Sequence, residues 1–202
     1  MKNREPLIQI FCKSPVLGKV KTRLIPALGE CRALDLYQRM FERLMADVLQ
    51  GTPPTELWVS PDKDHVFFEQ YAVPRFQQTG ADLGVRMGAA LRDGLTRYES
   101  VILVGTDLPP INRSYIERAV SSLRDHDVVL GPAEDGGYGL VGVKAETFDM
   151  FSDIDWGTDR VLSQTCARLN SKGLDYSLLP LIWDVDRPLD LQRYNAWLAT
   201  NG

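Results

Sequence analysis

Residues 101–110 read VILVGTDLPP, and the fold turns on them. Val101 to Gly105 run without a polar interruption. Such a stretch, rich in β-branched side chains, is expected of a central parallel strand covered on both faces, because a half-buried strand alternates apolar and polar residues. The run stops at Thr106-Asp107, so a carboxylate follows directly on a buried strand, ahead of Leu108-Pro109. A strand this apolar needs helices above and below it.

The flanking sequence supplies them. Upstream, Leu83, Met87, Leu91 and Leu95 recur at helical spacing. Downstream, a helix is expected from Ser114, with Glu117 completing a capping-box pattern and Ile116, Ala119, Val120 and Leu123 facing inward. Leu7 to Cys12 reads as an opening strand, and Leu36, Tyr37, Met40, Phe41, Leu44 and Val48 share one face of a helix from Ala33 to Leu49. Leu57 to Val59 forms a further strand, closed by Ser60-Pro61. Asp127 to Leu130 and Leu140 to Val143 read as two more, bracketing GPAEDGGYG. Toward the end come a helix through Val161, Leu162, Thr165 and Leu169, a strand from Leu174 to Leu179, and a last helix through Leu191, Tyr194 and Leu198. This alternation predicts an α/β chain: a mainly parallel sheet with helices on both faces, forming one domain over residues 1–202. Ligands of such sheets bind outside the carboxyl ends of the strands, so the loops that follow strands are where chemistry is expected.

Composition narrows the classes. A chain of 202 residues can bury a sizeable core without disulfides. Its net charge of -4 gives no overall pull toward nucleic acid or anionic membrane, so any phosphate site must be local. No stretch approaches the roughly 20 apolar residues of a membrane span. Neither is there a secretory signal at the start, and a cytoplasmic protein is expected. Cys12, Cys31 and Cys166 are odd in number and match no zinc or redox spacing. The two histidines, His65 and His126, lie in polar connecting stretches, which argues against a His-rich metal site or a Ser-His-Asp triad.

Four loops carry candidate chemistry. KSPVLGKVKTR follows the first strand and holds Lys13, Lys19, Lys21 and Arg23, with Gly18 letting the backbone wrap. Cations at this density suit a polyphosphate, although a charge run is also what a solvated face looks like. The Gly-x4-Gly-Lys-Ser/Thr spacing of a Walker A loop is absent. Asp107 can hold Mg²⁺, which prefers one or two carboxylates plus substrate phosphates, or it can cap the turn before Pro109. Glu134-Asp135-Gly136-Gly137-Tyr138 brings acids and paired glycines together, fit either for close approach to a ligand or for a tight hairpin. In Trp183-Asp184-Val185-Asp186-Arg187-Pro188, Asp186 can cap the helix that Pro188 starts, leaving Asp184 the freer candidate for a metal. Cations on one loop and carboxylates on three others are the division of labour that a metal-bound nucleotide needs.

Read in order, FCKSPVLGKVKTRLIPALG, QTGADLGVRM, VGTDLPPI, GPAEDGGYGLVGV, DIDWGTDRVLSQT and WDVDRPLD resemble the blocks of the bacterial DUF2064 family. Its members are GT-A-like proteins that carry the labels glycosyltransferase or nucleotide-diphospho-sugar transferase. The opening loop and the Asp-Leu-Pro block are more distantly similar to phospholactate guanylyltransferase and the molybdenum-cofactor nucleotidyltransferases. The resemblance implies a Rossmann-like GT-A sheet with a short antiparallel addition, and a transferase acting on a nucleotide or nucleotide-sugar donor and a small-molecule acceptor. It further implies that the Lys13 to Arg23 loop holds phosphates, and that Asp107 holds Mg²⁺ or Mn²⁺ with Asp184 or Asp186. Asp82 and Arg86, one helical turn apart, would read the base or ribose and a phosphate, unless they form a simple helix pair. The opening loop lacks the Gly-x-Gly of sugar nucleotidyltransferases, and Asp107 stands in no Asp-x-Asp triplet.

Three readings follow. In nucleotidyl transfer, a phosphorylated acceptor attacks an α-phosphate while Lys19, Arg23 and the metal stabilise the charge. In glycosyl transfer, a carboxylate such as Asp135 activates the acceptor hydroxyl. The third is an accessory module that binds nucleotide without turnover. A homo-oligomer is compatible with all three.

Overall fold

The computed structural model describes residues 2–50, 53–144 and 148–201. Its strands and helices alternate as β1 (Leu7–Lys13), α1 (Ile25–Leu28), α2 (Glu30–Leu49), β2 (Thr55–Ser60), β3 (Arg75–Gln77), α3 (Leu83–Arg97), β4 (Val101–Gly105), α4 (Arg113–Asp125) and β5 (Val128–Pro132). They continue as β6 (Tyr138–Val143), α5 (Val161–Ser171), β7 (Tyr176–Leu178) and α6 (Asp190–Asn201). The seven strands form one sheet in the order β3-β2-β1-β4-β6-β5-β7. β1 pairs in parallel with both β2 and β4, and β4 is enclosed in turn between β1, parallel to it, and β6, antiparallel to it, as its unbroken apolar run requires.

The antiparallel element is β6. It lies between β4 and β5, antiparallel to each, so it sits inside the sheet and reverses the chain there. The sheet has two covered faces. On one, Ile8, Ile10, Ile102 and Val104 pack with Phe41, Met45, Ile116 and Ala119 of α2 and α4. On the other, Leu7, Val101, Leu103 and Val141 pack with Met87, Leu91 and Leu95 of α3 and Leu169 of α5. Neighbouring residues of β1 and β4 feed opposite clusters, the period of two expected of a pleated strand. A smaller cluster of Leu24, Met40, Trp183, Val185 and Tyr194 seats α6 beside α2 and fixes the segment before α6.

One local expectation is corrected. The cap of α4 is Asn112, whose Oδ1 accepts from the Tyr115 N–H at 3.0 Å, and Ser114 already lies within the helix. Glu117, expected to close a box with Ser114, instead accepts from Arg113 Nε at 2.8 Å. Asn satisfies an otherwise orphaned amide as well as Ser does, so two start signals two residues apart competed. Asn112→Ala is expected to cost about 1 kcal/mol in denaturant unfolding, with Ser114→Ala costing much less.

Candidate active site

The carboxyl ends of β1, β2 and β4, the turn joining β5 to β6, and the segment before α6 surround a cleft of about 1110 Å³. Most of the residues singled out in the sequence line it, drawn together from loops far apart in the chain.

The basic loop leaves β1 at Lys13, whose main chain is clamped by Tyr37: the Lys13 N–H donates to the phenol oxygen at 2.9 Å, and the hydroxyl donates back to the Lys13 carbonyl at 2.6 Å. Burial pushes the Tyr37 phenol well above its ordinary range, so it stays a neutral bridge between β1 and α2. Lys13 and Lys19 are exposed on the cleft wall and form no ion pair among the described residues. Gly18 has φ 73, and a Cβ there would lie 3.0 Å from Glu30 Oε1. It therefore folds the loop back on α2, and it is not among the described residues lining the cleft.

Lys21 behaves differently from its neighbours. Its backbone is left-handed, with φ 48, and its side chain is only 3% exposed. The ammonium sits 2.6 Å from Asp107 Oδ1 and donates to the Val185 carbonyl at 2.7 Å. Asp107, whose side chain is 52% exposed, faces the cleft, and its own carbonyl accepts from the Val185 N–H at 3.0 Å. Its carboxylate thus pairs with Lys21 rather than with the turn before Pro109.

Arg23 pairs with Asp186. Asp186 does not cap α6: Asp190 Oδ2 accepts from the Asp186 N–H at 2.9 Å and from the Arg187 N–H at 2.6 Å. Asp184 is half-buried, and its carboxyl is pushed up to about 6, first by burial and then by the charges of Asp135, Asp186 and Asp190. A dication beside it would relieve that repulsion and favour the ionised form. Among the described residues, no group of three or more His, Cys, Asp or Glu side chains is close enough to hold a metal ion. The described residues thus offer no protein-only cage, and a hard cation held by one or two of these carboxylates would have to complete its shell with phosphate oxygens and water, as Mg²⁺ does.

The glycine block is a turn with a second task. Asp135 Oδ1 accepts from the Gly137 N–H at 2.9 Å, and the Ala133 N–H donates to the Gly137 carbonyl at 3.0 Å, closing the link between β5 and β6. Gly136 has φ 85, and a Cβ on it would lie 2.2 Å from the Asp159 carbonyl oxygen. With the Leu162 N–H donating to the Gly136 carbonyl at 2.9 Å, the turn is pinned to the start of α5.

Asp82 and Arg86 separate. Asp82 caps α3, accepting from the Val85 N–H at 2.8 Å, and is not among the described residues lining the cleft. Arg86 does line it, with Nε donating to the Gly80 carbonyl at 2.9 Å. The two form no ion pair among the described residues.

Other wall residues had no assignment from sequence. Gln78 lines the cleft, and its amide nitrogen donates to the Cys12 and Trp58 carbonyls at 3.0 and 2.9 Å, tying the ends of β1 and β2. Arg193 grips Glu134 at 2.7 and 2.9 Å and lies 4.4 Å from the Trp183 ring centroid. Trp156 packs so closely over Gly84 that a Cβ there would lie 2.7 Å away. The WGTDR block carried that last signal, since an aromatic beside a glycine in a polar stretch marks a loop that packs on something.

Residues 44–158 match the family model described as "Uncharacterized protein conserved in bacteria (DUF2064)". The chain belongs to the DUF2064 family. The matched segment includes Asp107, Arg86 and the Asp135 turn, while the basic loop and Asp184 lie outside it. This DUF2064 protein is 32% identical over 119 residues to 3-phospho-D-glycerate guanylyltransferase from Phenylobacterium zucineum (strain HLK1), covering 55% of this chain and 51% of that protein. The chain thus spans about half the length of this curated relative.

Among solved structures, it is similar to a protein from Desulfovibrio desulfuricans G20 provisionally described as a nucleotide-diphospho-sugar transferase. The TM-score is 0.86 at 30% identity, over 95% of this chain and 88% of that one. That likeness along nearly the whole chain sets the DUF2064 protein among transferases of this fold. CMP:2-keto-3-deoxy-manno-octonic acid synthetase in complex with CTP shares the fold with TM-score 0.64 at 11% identity, over 98% and 100% of the two chains. So does Rv0371c of Mycobacterium tuberculosis H37Rv in complex with manganese, with TM-score 0.56 at 14% identity, over 95% and 98%. No helix among the described residues is long and apolar enough to cross a membrane.

Proposed function

We propose that this DUF2064 protein is a metal-dependent nucleotidyltransferase whose fold acts as one domain. In this reading, an oxygen of a phosphorylated small-molecule acceptor attacks the α-phosphorus of a nucleoside triphosphate, the bond from that phosphorus to the β-phosphate oxygen breaks, and pyrophosphate leaves. The observation that carries it is the division of charge in the cleft: Lys13 and Lys19 on the β1 loop, in no ion pair among the described residues, line the same cleft as carboxylates from the loop after β4, the β5–β6 turn and the segment before α6. The guanylyltransferase relative supports the same chemistry.

Asp107 and Asp184 would hold Mg²⁺ or Mn²⁺, which when bound would neutralise phosphate oxygens and orient the α-phosphate for in-line attack. The chain's own part is positioning. Lys13 and Lys19 supply charge and donors to the outer phosphates, and Arg23, anchored by Asp186, supplies a planar donor at the mouth. Arg86, held by the Gly80 carbonyl, reaches the same cleft from the opposite loop. No covalent enzyme intermediate is needed, and the charge that develops in flight meets donors already in place.

The binding half of this reading is tested by Lys13→Ala and Lys19→Ala. Each is expected to raise the KM for the nucleoside triphosphate by about tenfold, the value of one charge-assisted hydrogen bond, with the melting temperature unchanged because both side chains are solvated. The catalytic half is tested by pyrophosphate release across the four common nucleoside triphosphates with phosphorylated acceptors. Glycosyl transfer, supported by the description of the D. desulfuricans structure, instead requires a nucleotide-sugar to yield a nucleoside diphosphate, with Asp135 as the base. Pyrophosphate from any of the four decides for the first reading, and nucleoside diphosphate from a nucleotide-sugar decides for the second.

A further inference from the structure

Resting on the metal site proposed above, we infer that Lys21 is the resident counter-cation of that site. Its ammonium and the divalent ion compete for Asp107, so the carboxylate is released to metal when phosphate oxygens take over the lysine. Three observations meet at this residue. The ammonium lies 2.6 Å from Asp107 Oδ1, on a side chain only 3% exposed, so the pairing is no loose surface contact. Its second partner is the Val185 carbonyl at 2.7 Å, between Asp184 and Asp186, so one lysine bridges the two segments that carry the candidate ligands. And its backbone holds a left-handed φ of 48, a conformation that costs a non-glycine residue about 1 kcal/mol and persists where surrounding contacts over-determine it.

The consequence is electrostatic. A dication approaching Asp107 meets a fixed positive charge within hydrogen-bond distance of the oxygen it needs, and that charge cannot swing into solvent without breaking its bond to Val185. Metal alone therefore binds weakly. A nucleotide's phosphates supply Lys21 with replacement oxygens and the metal with further ligands, which makes the two bindings mutually favourable. The lysine thereby keeps the cation from binding without its substrate.

The test is the affinity of the intact protein for Mn²⁺ alone, read from the electron paramagnetic resonance signal of the free ion. Lys21→Met and Lys21→Gln should each tighten Mn²⁺ by roughly tenfold, since both remove the competing charge while Gln keeps a donor for the Val185 carbonyl. Asp107→Asn in the Lys21→Met background should abolish that gain. Both neutral variants binding Mn²⁺ no better than the unaltered chain, while Asp107→Asn still weakens it, overturns the role of Lys21 and leaves the metal site standing. Affinity indifferent to Asp107→Asn in every background overturns the metal site itself. Thermal melts of each variant confirm that a folded protein is compared, and Lys21→Gln stands in if Lys21→Met does not fold.

Discussion

Asp107→Asn is expected to lower turnover by about a hundredfold or more while leaving the protein folded. The carboxylate is the residue at which the buried strand meets the cleft, and it sits half exposed at the end of β4 with its oxygen toward Lys21. Removing the charge removes the attraction for a divalent cation. Asn retains an oxygen at the same place, so the Lys21 ammonium keeps an acceptor and the Val185 N–H still meets the Asp107-position carbonyl. Asp107→Ala is a different experiment: it strips a buried ammonium of its ion-pair partner, which costs stability as well as activity. The comparison of the two by steady-state turnover and thermal melting separates chemistry from scaffold. Turnover near the unaltered level in Asp107→Asn would rule out a metal role for this carboxylate.

The second large effect is on stability. Gly136→Ala is expected to cost about 3 kcal/mol or more, a fall in melting temperature of about 6–12 °C for a chain of this size. Two penalties coincide there: a left-handed φ of 85, and a Cβ placed 2.2 Å from the Asp159 carbonyl oxygen, a rigid main-chain atom that cannot move aside cheaply. The hydrogen bond from Leu162 to the Gly136 carbonyl would be strained in the same movement, and Asp135 displaced from the cleft. Gly173→Ala is the control. Its φ of 65 carries the same conformational strain, but nothing lies within 4 Å of the added Cβ, so it should cost only about 1 kcal/mol. Equal losses at the two positions by denaturant unfolding would show that the close approach of Asp159 adds nothing.

These two residues also mark where sequence reading reached and where it stopped. The period of apolar residues placed nearly every strand and helix, because both faces of the sheet are covered and burial follows local pattern. The pattern has no term for pairing, however. That β6 would insert between β4 and β5 depends on hydrogen bonds between segments more than thirty residues apart, as in Val101 beside Val143. β3 went unseen because Arg75–Gln77 is too short for any alternation to register.

The site divides in the same way. That Lys13, Lys19 and Asp107 line the cleft was legible because strand ends of such sheets face ligands, and composition there was distinctive. Lys21 looked like one more cation of the loop, and only the folded path shows its ammonium turned inward to Asp107 and Val185. Asp82 looked like a ligand-reading acid or a helix partner of Arg86, yet as the residue before Leu83 it caps α3. Gly136 was readable as a turn residue, while the reason that only glycine fits lies at Asp159, in the next loop.

Which bond is made is answered most directly by phosphorus NMR of a reaction containing the protein, a nucleoside triphosphate, a phosphorylated acceptor and Mg²⁺. The account predicts that the α-phosphorus signal moves into a new phosphoric anhydride with the acceptor as pyrophosphate appears, and that Asp107→Asn suppresses both changes. A triphosphate that stays intact with every acceptor, while a nucleotide-sugar loses its sugar and leaves a nucleoside diphosphate, would contradict it.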